Sequence, residues 1–97
     1  AIIMNIHFEW DNNKNEINYL KHGLNFEDAA FIFSGETITF EDGRIDYGEK
    51  RFITIGKLFG RVVIIVHTQR SEILRIISMR KANEREKKIY YERLKKN

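Results

Sequence analysis

Apolar and polar positions change period three times along the chain. Residues 6–9 (Ile-His-Phe-Glu) alternate and predict a short first strand. Asp11 then caps a predicted helix through about His22, which Gly23 ends with a left-handed stop. Asn25 opens a second, shorter helix whose Phe26, Ala29, Ala30 and Phe33 form a stripe at i, i+3, i+4, i+7, and Gly35 closes it. From residue 36 the period becomes two. Strands are predicted at Thr37–Phe40, Arg51–Leu58, Val62–Thr68 and Glu72–Met79, with an acidic loop through Glu49 after the first of them. Ala82 to the end reads as a charged helix, with Asn83 and Glu86 spaced as a reciprocal capping pair. The predicted order is β-α-α-β-β-β-β-α. Short reversals imply an antiparallel meander, because parallel neighbours need a crossover. The expectation is an α+β fold: an antiparallel sheet of four to five strands, two N-terminal helices packed on one face, and a C-terminal helix. The other sheet face is expected to be polar.

At 97 residues the chain is expected to form a single domain over 1–97. No cysteine is present, which removes disulfides, thiolate nucleophiles and sulfur-ligated zinc. The apolar runs fall well short of the ~20 residues of a membrane helix. Ala1-Ile2-Ile3-Met4 lacks the basic flank and length of a signal peptide, so no leader, no membrane association and a cytoplasmic location are expected. The net charge of +3 conceals an asymmetry: residues 1–50 hold 4 Lys/Arg against 10 Asp/Glu, and residues 51–97 hold 13 against 4. A basic face built from the second half suits a polyanion, although a charged terminal helix also serves solubility alone.

Phosphate-binding loops, dinucleotide fingerprints, HExxH and Gly-x-Ser-x-Gly motifs are absent, and His7, His22 and His67 are isolated, so neither a metal nor a cofactor is expected. What remains is Lys, Arg, His and Tyr against a phosphate. RNA carries its own nucleophile, the 2′-hydroxyl. An enzyme has only to move protons, as histidine does near neutral pH, and to hold charge on phosphoryl oxygens, as arginine does. His67 ends the apolar run Val62–Val66 on the face of Val63 and Ile65, and is a proton-transfer candidate or a half-buried structural histidine. Strict alternation sets Arg75 with Ile73, Ile77 and Met79, and Leu74, Ile76 and Ser78 opposite. Arg75 and Arg80 bind a phosphate or pair with Glu72 or Glu86. Arg51 does the same or pairs with Glu49 or Asp46. Tyr90 stands four residues after Glu86 and is core or catalytic; Lys21 and His22 complement the first helix dipole or bind substrate.

Phe8-Glu9-Trp10-Asp11 with Lys14, Asn18 and Lys21-His22-Gly23 resembles the N-terminal signature of the BrnT toxins. Phe26-Glu27-Asp28-Ala29-Ala30, then Arg51 to Gly56, Val66-His67-Thr68 with Arg70, and Arg75-Ile76-Ile77-Ser78-x-Arg80-Lys81-Ala82 with Glu86 and Tyr90 continue the resemblance over residues 8 to about 92. Met79 and Asn83 depart from the residues usual in that family. The resemblance implies a RelE-like fold and a metal-independent ribonuclease that blocks translation. It also implies a cognate BrnA-like antitoxin with a DNA-binding domain, through which alone operator DNA is bound. Matched positions and chemistry together give a catalytic set of His67, Arg80, Arg51, Lys21, Arg75 and Tyr90, with His22, Arg70 and Lys81 binding substrate. A non-catalytic RNA-binding or ribosome-associated module is the alternative.

Overall fold

The computed structural model describes residues 6–43 and 48–95. Its elements are β1 (His7–Glu9), α1 (Asn12–His22), a 3-10 turn (Phe26–Asp28) running into α2 (Ala29–Phe33), β2 (Ile38–Asp42), β3 (Arg51–Leu58), β4 (Arg61–Arg70), β5 (Ile73–Lys81) and α3 (Glu84–Lys95). Asp11 caps α1 through its carboxylate, which accepts from the amides of Asn13 and Lys14 at 2.8 and 3.2 Å. Gly23 ends the helix at φ 70°, and its amide donates to the Tyr19 carbonyl. Of the acidic loop, Asp46 and the rest of residues 44–47 lie outside the described residues, as do Ala1–Met4 and Asn5.

The strands form one sheet in the order β1-β5-β4-β3-β2. β2, β3, β4 and β5 run antiparallel in sequence, but β1 lies parallel to β5, pairing His7 with Ile73 and Glu9 with Arg75. The sheet is therefore mixed, which corrects the antiparallel expectation. The crossover that a parallel pair requires is everything between β1 and β5, a connection no local pattern reveals.

The helices also differ from expectation, because they do not leave one face bare. The 3-10 turn and α2 place Phe26, Ala29 and Ile32 against Leu58, Val63, Ile65, Leu74, Ile76 and Met79 on one face. The opposite face carries a second cluster, in which Tyr90 of α3 and Ala82 cover Ile55, Val62 and Ile64. Thus β4 is buried on both sides over Val62–Ile65, and only the far half of the second face stays open. Nor does α1 act as an amphipathic cover. Its one buried residue is Asn18, while Ile17 and Leu20 are exposed. Of the predicted stripe, Phe26 and Ala29 are buried and Phe33 packs against the same cluster, but Ala30 is exposed and Ile32 takes its place in the core, since the opening 3-10 turn advances the face by three residues rather than 3.6.

Asn18 has a defined task. β1 is three residues long and stops beside Arg75, leaving the outer edge of β5 uncovered beyond it. There the Asn18 Oδ1 accepts from the Met79 amide at 3.2 Å, and its Nδ2 donates to the Leu24 carbonyl. A side chain thus replaces the missing strand at the edge.

Candidate functional site

β5 contains an irregularity that redirects its side chains. Val66 pairs with Ser78 but His67 pairs with Ile76, so Ile77 is an extra residue. Up to Ile76, even-numbered residues face the first cluster; beyond the bulge, Met79 does. The alternation predicted through the whole strand therefore fails after Ile76. Its consequence is that Arg75 and Arg80, five residues apart, lie on the same sheet face.

That face bears a row of polar residues across all five strands. Asp42 pairs with Arg51, Thr68 with Arg75, and Arg75 with Glu9, while Arg51 and Thr68 are next to the Phe52–His67 pair and complete the row. The Arg75 guanidinium donates to the Glu9 carboxylate at 3.3 Å, and both side chains are about half exposed. One row outward, Arg70 pairs with Ile73, and Ile73 with His7. Arg70 donates to Glu49 at 3.2 Å. Phe8 packs on the first cluster, so its neighbours His7 and Glu9 project to the open face. Glu9, Glu49, Thr68, Arg70, Ile73 and Arg75 line a cavity of about 280 Å³ there.

Arg80 stands closer to α3, where it is clamped. Its two terminal nitrogens donate to the two Glu86 oxygens, each at 2.7 Å, and Glu86 also accepts from the Asn83 amide at 2.9 Å. A second cavity, bordered by Phe40, Asp42, Ile53, Arg80 and Glu86, adjoins it.

His67 is elsewhere. It faces the first cluster with Val63 and Ile65, as its position predicts, but its exposure is 1%. Its ring stacks on Phe52 and meets the edge of Phe33, and its Nε2 lies 2.8 Å from the Thr54 Oγ1, which bonds in turn to the Thr39 hydroxyl. Burial lowers its pKa from 6.5 to about 4, with the Thr68 backbone opposing weakly. The structure therefore does not bring His67 together with the arginines: an apolar strand pair seals the imidazole beneath the sheet, and Arg75 and Arg80 project from the other side. Tyr90 is also buried, its hydroxyl donating to the Glu36 carbonyl at 2.7 Å, and burial raises its pKa. Lys21 and His22 form the last turn of α1, away from the polar row, and Lys81 ends β5 beyond α3.

Sequence reasoning missed His7 and Glu9. The alternation of residues 6–9 shows that they share a side, but only the parallel pairing with β5 reveals what that side faces. Among the described residues, no group of three or more His, Cys, Asp or Glu is gathered as a metal site needs. No helix among them is long and apolar enough to cross a membrane.

The chain is thus a small α+β protein with a mixed five-stranded sheet, one face of which carries arginines from three strands beside the carboxylates of Glu9, Asp42, Glu49 and Glu86. Residues 10–86 match the family described as "Ribonuclease toxin, BrnT, of type II toxin-antitoxin system", and the chain belongs to that family. No curated protein matches it.

Proposed function

We propose that the chain cleaves RNA without a metal, on the open sheet face, and so inhibits translation until a cognate antitoxin covers it. The observation that carries this reading is the row Asp42-Arg51-Thr68-Arg75-Glu9, which sets two guanidinium groups on either side of Thr68 on one sheet face in a member of a ribonuclease family. Arg51, Arg75 and Arg70 hold the phosphoryl oxygens, Arg80 extends the cationic surface toward α3, and Glu9 orients Arg75. His7 stands two residues from Glu9 on the same side, roughly 7 Å along the strand, and moves protons. The 2′-hydroxyl gives its proton to the imidazole, its oxygen bonds to phosphorus, and the 5′-oxygen leaves with a proton returned to it. A 2′,3′-cyclic phosphate and a 5′-hydroxyl result. His67 supports the sheet from beneath.

The antitoxin in this reading is BrnA-like and carries the DNA-binding domain, so operator DNA is reached only through it, and both act in the cytoplasm. Incubating purified protein with RNA in EDTA tests the chemistry. Cleavage with cyclic phosphate ends, reduced about 100-fold or more in Arg75→Ala and His7→Ala, is expected. Complete loss on chelation overturns the metal-free reaction; RNA bound but left intact favours a non-catalytic RNA-binding module. Growth arrest on expression, relieved by co-expressing the adjacent reading frame, tests the toxin–antitoxin reading.

A further inference from the structure

Across α3 from the arginine row, the structure holds a cationic cavity. It measures about 360 Å³ and lies where the β3–β4 hairpin, the end of β5 and α3 meet, with Arg61, Lys81 and Lys87 on its walls beside Tyr91. Each cation comes from a different element. Lys57 adds a fourth, held 5.1 Å above the Tyr91 ring. The nearby carboxylate is Glu84, 3.1 Å from Lys87 and almost fully exposed at the rim. Among the described residues, neither Arg61 nor Lys81 has a carboxylate partner, and both are exposed. Three like charges around one concavity, with Lys57 on the adjoining Tyr91 ring, repel each other and call for an anion. Tyr91, 41% exposed, adds an aromatic surface on which a base can stack.

We infer that this cavity is a second subsite for single-stranded RNA, gripping the backbone of a nucleotide that flanks the cleaved bond. The inference rests on the reading of the chain as an RNA-cleaving protein, and names how it holds a longer strand. Thr68 in the arginine row and Val62 at this cavity are six residues apart on β4, roughly 20 Å, a span of several nucleotides that passes over α3. Affinity for long RNA is therefore divided between two sites, and a dinucleotide reaches only one.

The test measures binding of a labelled 2′-O-methyl RNA of about twelve nucleotides, which has no attacking hydroxyl, beside cleavage of a dinucleoside monophosphate. The double variant Arg61→Ala/Lys87→Ala is expected to raise Kd about tenfold at low salt. It should also lower the slope of log K against log salt by about 1.4, as for two lost phosphate contacts, with dinucleotide cleavage unchanged. The charge-conserving pair Arg61→Lys/Lys87→Arg should bind as the parent does, and Tyr91→Leu should weaken binding without altering the salt slope. Unchanged Kd and slope in the alanine pair overturn the subsite, whether or not the parent cleaves. If the parent leaves both the dinucleotide and unmodified RNA intact but the binding changes appear, the subsite stands and the cleavage reading fails.

Discussion

The imidazole of His67 is bonded to the hydroxyl of Thr54, 2.8 Å away on the neighbouring strand, inside a shell of Phe33 and Phe52. Both residues are nearly inaccessible, at 1% and 0% exposure. The pair ties β3 to β4 from within, and the arginines on the reverse side rely on that strand pair for their spacing.

Acid should therefore weaken the fold through His67. Its pKa falls from 6.5 to about 4 on folding, so above pH 6.5 the ring is neutral in both states and contributes no pH dependence. As pH drops from 6.5 to 4, the unfolded chain takes up the proton first and stability is lost. The loss from this group approaches roughly 3 kcal/mol near pH 4. Denaturant unfolding of the parent and of His67→Gln across this interval should show their stability difference shrinking by about that amount; a constant difference would contradict it.

Arg75 and Arg80 should separate in their effects. The Arg75–Glu9 pair is half exposed and contributes at most about 1 kcal/mol, so Arg75→Ala should lower the melting temperature little while RNA cleavage collapses. Arg80→Ala removes a two-pronged bond to Glu86 and should cost stability as well as activity. Thermal melts beside cleavage rates distinguish the two; a large melting shift in Arg75→Ala runs against this division.

Glu86→Ala should destabilise by roughly 2 kcal/mol. The substitution removes the reciprocal cap with Asn83 and the Arg80 clamp together. Glu86→Gln, which keeps the cap but not the charge, should recover about half in chemical denaturation.

Gly56→Ala should be destabilising by about 1–3 kcal/mol, although alanine suits a strand better than glycine. A Cβ at this position would stand 2.7 Å from the Cγ2 of Ile32 and 3.0 Å from that of Thr37. Ile32 is fully buried and its branched carbon has no room to retreat. Partial restoration of stability by Ile32→Leu, which carries no methyl branch on Cβ, in the same chain checks the cause.

Asn18→Ala should cost about 1–3 kcal/mol by stripping the Met79 amide of its acceptor. Hydrogen exchange at Met79 should accelerate in step with that loss, and an unchanged rate would rule out the edge role.

Local chemistry was legible in the sequence. The Asp11 cap, the Gly23 stop and the Asn83–Glu86 pair all form, because each depends on residues within four positions. His67 takes the predicted face, yet its apolar run also buries it, and sequence gave no measure of the Phe33 and Phe52 rings that close over it. The parallel strand, the bulge at Ile77 and the second cluster beneath α3 were not legible, since each is set by pairing between distant segments. The site list divides the same way: Arg51, Arg70 and Arg75 share one surface, whereas grouping them with His67, Tyr90 and Lys21 required knowing which way each strand turned.

The β1–β5 pairing also has a temporal consequence. Glu9 meets Arg75 only after 66 further residues have been made, because the first strand has no sheet to join until the last strand exists. The surface proposed to attack RNA thus cannot assemble on a growing chain until β5 has been made, and for most of its synthesis the polypeptide carries no complete arginine row.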